Sequence, residues 1–149
     1  MNPAARKCHK KRPLLPHNAQ KAQELRREKD ILELCTQIGQ IAFDLQVHLS
    51  HGHLEKVYEN GLAHRLRRNG LRVEQQYPLK VFDEDGTALG DYYADLFVES
   101  RLIIELKACK ALAAEHTAQV LGYLRASGQS HALLINFGSP KIEIKKFIL

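Results

Sequence analysis

The sequence predicts one domain of α/β class in its α+β form, with a central mixed sheet flanked by helices. Three observations carry that prediction. Apolar residues recur at helical spacing over the first part of the chain, the period changes to two after Asn69-Gly70, and the 149 residues are 44% apolar and 26% charged. A chain of this length buries about 68–70% of its unfolded surface, so its core needs neither disulfide nor metal to hold it.

The elements follow in order. Ile31, Leu34, Cys35, Ile38, Ile41, Ala42, Leu45 and Leu49 form one helical face, which predicts a long amphipathic helix from about 22 to 48. Leu49 to His53, with Gly52, breaks it. A second helix is expected from about Leu54 to Asn69, with Leu54, Val57, Tyr58, Leu62 and Leu66 on its stripe and Arg65, Arg67 and Arg68 near its C-terminal end, where they complement the dipole. Asn69-Gly70 is a left-handed stop. Leu71, Val73, Gln75 and Tyr77 then alternate with polar residues, and the extended run continues past Pro78 to Phe82 and the turn Asp83-Glu84-Asp85-Gly86. Further strands are expected at Tyr92–Val98, Leu102–Leu106, Ala132–Phe137 and Ile142–Phe147, with a third helix from about Leu112 to Ala126.

The net charge of +5 is unevenly placed: residues 1–29 carry +7 and residues 30–149 carry −2. Residues 1–20 hold three of the five prolines and few branched apolar residues, so they are expected to be a disordered basic tail, inert or phosphate-binding, ahead of one domain over 21–149. Pro13 and Pro16 interrupt any amphipathic targeting helix, and no apolar run approaches the roughly 20 residues of a membrane span. Cys8, Cys35 and Cys109 are odd in number and lack Cys-x-x-Cys spacing, which argues against a disulfide framework or zinc knuckle and for a reducing, cytoplasmic setting. His48, His51 and His53 lack a cysteine or carboxylate partner at ligand spacing, so they are not read as a metal site.

The chemistry concentrates in Tyr92 to Lys107. A hairpin centred on Ser100, with a three-residue turn, sets Asp95 opposite Glu105 with Lys107 on the same face, while Leu96, Val98, Leu102, Ile104 and Leu106 point to the core. Opposed carboxylates repel unless a proton or cation neutralises them, and a hard divalent cation such as Mg²⁺ or Mn²⁺ suits two oxygen donors. Lys107 could then hold an attacking water and offset charge developing on phosphorus. An ordinary cross-strand cluster, with Lys107 paired to either acid, satisfies the same pattern. On the third helix His116, Gln119 and Tyr123 form a polar face beside Ala113, Thr117, Val120, Leu121 and Leu124. Gly52-x-x-Glu55-x-x-Tyr58 opens the second helix, with Glu55 placed as a third carboxylate.

Gly52-His53-Leu54-Glu55-Lys56-Val57-Tyr58, Tyr93-Ala94-Asp95-Leu96, Glu105-Leu106-Lys107, Gln119-Val120-Leu121-Gly122-Tyr123 and Leu134-Ile135-Asn136-Phe137-Gly138 together resemble the GxxExxY protein family of the PD-(D/E)XK nuclease superfamily. The resemblance covers about residues 30–149 and implies a restriction-endonuclease-like core. It also implies that Glu55, Asp95 and Glu105 ligate Mg²⁺ or Mn²⁺ and that Lys107 positions the nucleophilic water. Gln119 and Tyr123 match the Gln-x-x-x-Tyr motif of RecB-type nucleases, where that helix supports the lysine and the scissile phosphate. Ala94 stands where the superfamily name has proline.

The expected function is metal-dependent phosphodiester hydrolysis on nucleic acid, DNA or RNA. Arg65, Arg67, Arg68, Arg72, His116 and the tail are the expected phosphate contacts. The rival reading is a nucleic-acid- or protein-binding module that keeps the fold without turnover. The long first helix also offers a face for a homodimer.

Overall fold

A computed structural model describes residues 16–149, so the expected tail lies outside the described residues as far as residue 15. Helix α1 spans His17–Leu49, ahead of the expected start near 22, so His17 to Gln20 form its first turn. At 1.5 Å per residue it is about 50 Å long. Its first buried residue is Ile31, and from there Leu34, Cys35, Ile38, Ala42, Leu45 and Gln46 face the core. No helix among the described residues is long and apolar enough to cross a membrane.

The loop from α1 to α2 (Glu55–Arg68) explains two of the three fixed letters in the Gly52…Tyr58 pattern. Gly52 has φ +108°, a conformation open to glycine. The fully buried Tyr58 donates its hydroxyl proton to the Ser50 carbonyl at 2.6 Å, accepts the His53 N–H at 3.2 Å, and stacks on Phe137 at 4.7 Å. His53 turns its own Nε2 toward the Leu49 carbonyl at 3.1 Å, a contact within the loop. Gly70, at φ +81°, ends the helix region as the sequence indicated.

Five strands, β1 (Val73–Phe82), β2 (Ala88–Val98), β3 (Leu102–Lys107), β4 (His131–Asn136) and β5 (Glu143–Ile148), form one sheet in the order β1-β2-β3-β4-β5. All neighbours are antiparallel except β3 and β4, whose parallel pairing is connected through α3 (Ala114–Ser127). The sheet is therefore mixed and flanked by helices, as predicted. α1 and α2 cover one face through Ile38, Leu62, Leu66, Leu96, Ile104 and Leu106. α3 covers part of the other through Val120, Tyr123 and Leu124 against Leu79, Phe97 and Ile103.

The hairpin register agrees with the sequence reading: Val98 faces Leu102, Phe97 faces Ile103 and Leu96 faces Ile104, around a three-residue turn. Glu99 and Ser100 occupy the left-handed region at φ +52° and +55°, which side chains disfavour. Arg72 holds the turn there. Its N–H donates to Glu99 Oε1 at 2.6 Å, its guanidinium donates to Oε2 at 3.3 Å, and the Glu99 N–H returns a bond to the Arg72 carbonyl.

β1 departs from simple alternation. Gln76 sits at φ +51°, and Gln75 and Gln76 both donate to Glu59. This phase shift sends Val73 to the α1/α2 face and Tyr77 to the α3 face, where it stacks on Phe97 at 4.4 Å. β2 also begins earlier than expected, at Ala88, so β1 and β2 form a long arm whose outer half is exposed.

The block at Leu134 to Gly138 locks the end of β3. Asn136 is fully buried; its amide donates to the Cys109 carbonyl and to Glu143, and its oxygen accepts the N–H groups of Cys109 and Gly138. A Cβ on Gly138 would lie 2.2 Å from the Cys109 nitrogen and 2.4 Å from the Ala108 carbonyl carbon, so only glycine fits beside that backbone. Gly138→Ala is expected to destabilise the protein by about 2 kcal/mol or more, read as a Tm fall of roughly 5 °C or more in a thermal melt. An unchanged Tm would show that the 107–109 segment is free to move aside.

Candidate metal and nucleic-acid site

The pairing of β2 with β3 runs to Leu96 and Ile104 and stops where the carboxylates begin. There Asp95 substitutes a side chain for a main-chain acceptor: its Oδ2 accepts the Leu106 N–H at 2.7 Å. Its Oδ1 accepts from Gln76 Nε2 at 3.2 Å. Burial raises the Asp95 pKa and the nearby charge of Glu59 adds to that, against the lowering effect of the Leu106 amide.

Glu105 lies on β3 and is 3% exposed. Its Oε1 accepts from Lys107 Nζ at 2.8 Å, while its Oε2 is buried without any hydrogen-bond partner. Burial pushes its pKa to about 7, with the Asp95 charge adding to the rise and the Lys107 bond opposing it. Burial by itself would lower the Lys107 pKa, but the bond to Glu105 and the charges of Glu105, Glu55 and Asp95 raise it. Lys107 is therefore held as an ammonium among three carboxylates.

Glu55 sits exposed at the first position of α2, at the edge of this group. Its pKa is raised by partial desolvation and by Asp95, while Lys107 pulls it down. Glu59, which is absent from the sequence-predicted site, is 3% exposed and more deeply placed. It accepts from Lys56 Nζ at 2.8 Å, Gln75 Nε2 at 3.0 Å and Gln76 Nε2 at 3.0 Å, and Gln76 carries the connection on to Asp95. The sequence does hold a signal for it: Glu59 precedes Leu62 by three and Leu66 by seven, on the buried stripe of α2. The expected stripe members Leu54 and Val57 are instead exposed.

α3 lies over the same region. Tyr123, expected on a polar face, is 6% exposed, and its hydroxyl accepts from Gln119 Nε2 at 2.6 Å. Burial and then the Glu105 charge raise its pKa, so the phenol stays protonated. His116 Nδ1 accepts the Ala113 N–H at 3.0 Å and caps the start of α3. The basic residues lie apart. Arg65 and Arg68 border a groove with Ile41, Asp44 and Asn69 at the end of α2, roughly 20 Å from Glu55 along the helix axis. Arg67 bonds Gln75 and the Val73 carbonyl, and Arg72 is engaged by Glu99.

Two acids on the inner strands β2 and β3, a lysine two residues on, and a helical Gln and Tyr on α3 thus share one region of a mixed α+β fold. The PD-(D/E)XK nuclease superfamily family model matches residues 32–147, and the chain belongs to that superfamily. The solved crystal structure of SSO0001 is similar in fold, with a TM-score of 0.50 and 18% identity over 62% of this chain. The match covers 48% of SSO0001, so this chain accounts for about half of that protein's length. No curated protein matches the sequence.

Superfamily nucleases generally use divalent metals, and the donor set here suits one: a buried, unpartnered Glu105 oxygen beside Asp95 is a place a cation would stabilise. Among the described residues no group of three or more His, Cys, Asp or Glu side chains is arranged to hold a metal ion. Two carboxylates with waters would be the protein's contribution, in keeping with Mg²⁺ chemistry.

Because the Glu105 proton competes with a cation, Mn²⁺ affinity measured by calorimetry should fall about tenfold per pH unit below 7 and level off above it. A flat profile from pH 5.5 to 8 would remove Glu105 from the ligand set. Glu59→Gln should lower the same affinity by roughly 10- to 100-fold, acting at a distance from the ion by loosening Gln76 and Asp95.

Proposed function

We propose that this chain is a metal-dependent phosphodiesterase of the GxxExxY type acting on nucleic acid. The observation that carries the reading is the buried Glu105 oxygen without a partner, next to Asp95 and to a lysine held as an ammonium. Asp95 and Glu105 would hold Mg²⁺ or Mn²⁺, with Glu55 at the rim as a third carboxylate toward the ion's waters. When bound, that ion supplies Lewis acidity toward a phosphate oxygen and lowers the pKa of water.

The chain's own groups do the rest. Lys107, 2.8 Å from Glu105, has two further ammonium protons with which to orient a water and to face charge building on phosphorus. The Tyr123 hydroxyl accepts from Gln119, which leaves its proton to donate toward a phosphate oxygen. The Arg65 and Arg68 groove would be a remote phosphate contact, working on affinity and not on the chemical step. His116 and Arg72, both engaged in capping and turn contacts, act on the scaffold in this reading.

The test is cleavage of labelled single- and double-stranded DNA and RNA with Mg²⁺, Mn²⁺ or EDTA. Wild type should cut only with metal, and Lys107→Ala should cut at least 100-fold more slowly while binding substrate as well as wild type. Binding without cutting by the wild type would favour a binding module on a nuclease fold, and equal metal-dependent cutting by the variant would remove Lys107 from the chemical step.

A further inference from the structure

A groove of about 440 Å³ lies between α3 and the outer half of the β1–β2 arm, bordered by Lys80, Phe82, Tyr92, Gly122 and Arg125. It adjoins the proposed site directly: the Tyr92 ring lies 5.5 Å from that of Tyr123, and Tyr123 is close enough to Glu105 to feel its charge. Phe82 is 56% exposed and Tyr92 46%, so two aromatic rings stand in solvent beside two cations. Among the described residues neither Lys80 nor Arg125 forms an ion pair, although Asp91 stands opposite Lys80 in the strand register. The turn that follows Phe82 in the chain carries Asp83, Glu84 and Asp85, none of which lines the groove.

Gly122 is the most telling of these residues. It occupies the interior of α3, where glycine is the least favourable residue after proline. Its own φ is not in the left-handed region, and a Cβ there would meet nothing within 4 Å. Neither backbone geometry nor packing within the chain calls for glycine. Its effect is to leave the helix backbone open to close approach from the groove.

We infer that this groove is the track for a single nucleic-acid strand entering or leaving the proposed site. Tyr92 and Phe82 offer faces on which bases stack, and Lys80 and Arg125 meet the phosphates. A duplex does not suit it, because the base faces of a duplex are already stacked on one another. Both DNA and RNA strands carry this chemistry. The inference rests on the proposed nucleic-acid reading, and it is tested apart from cutting.

The measurement is anisotropy with the full chain in EDTA, using a labelled DNA strand, the RNA of the same sequence and the blunt DNA duplex. Wild type should bind one or both single strands at least 10-fold more tightly than the duplex. Gly122→Leu, whose Cβ meets no atom within 4 Å and whose side chain favours the helix, should abolish that preference with Tm unchanged or raised. Phe82→Ala, at an exposed position, should weaken single-strand binding roughly 5-fold or more. Combining Lys80→Ala with Arg125→Ala should flatten the log affinity against log salt slope by about 1.4. Equal affinity for strand and duplex, or a Gly122→Leu variant that binds strands as wild type does, would overturn the track. A protein that binds strands through these residues but never cuts with metal would keep the track and overturn the phosphodiesterase reading. One that cuts with metal but shows no strand preference would do the reverse.

Discussion

The site depends on one hydrogen bond, from the Leu106 N–H to Asp95 Oδ2. A strand that kept its main-chain ladder through this point would close the gap between β2 and β3. With the carboxylate standing in for a backbone carbonyl, the strands part after Leu96 and Ile104 while the Leu106 amide remains satisfied. Asp95 is thereby fixed at one wall of the opening and Glu105 is presented at the other. The parallel pairing of β3 with β4 holds the far side, since Lys107 lies opposite Asn136 and its carbonyl accepts the Phe137 N–H at 2.8 Å.

Around that opening the protein keeps arrangements that stability alone would not select. Glu105 carries an unpartnered buried oxygen, a condition that costs on the order of 1–3 kcal/mol. Gln76 takes a left-handed backbone so that its amide can join Glu59 to Asp95. Gly122 weakens α3 without any internal need. These local costs cluster about one region, while the sheet face under α1 and α2 carries the larger apolar cluster, where the buried Gln46 is satisfied by the Phe137 and Ser139 carbonyls. The division is physical: one face supplies the stability that lets the other hold mutually repelling groups.

Much of this is legible in the chain. The five-strand count and the hairpin register follow from alternation and a turn length, and the period of two puts Glu105 and Lys107 on one face of β3. The roles of Arg72 and His116 as scaffold contacts are not legible, since their partners Glu99 and Ala113 are ordinary residues whose nearness depends on the folded turn and helix end. Tyr123 reads as polar by its neighbours on a helical wheel, yet β2 brings Tyr92 over it and buries it. Glu59 is hidden by its charge: a carboxylate on an apolar stripe is noticed only when its three donors, one on α2 and two on β1, are seen to meet it.

The sequence by itself determined the mixed fold, the order of its elements and the two strands that carry the acids, all of which follow from local period and turn chemistry. The tertiary structure decided which carboxylates share an environment, that Gln76 takes a left-handed backbone between Glu59 and Asp95, and that an open groove runs beside Tyr123. Those outcomes depend on contacts between residues distant in the chain, and burial, which raises the Glu105 pKa, exists only once the elements have packed.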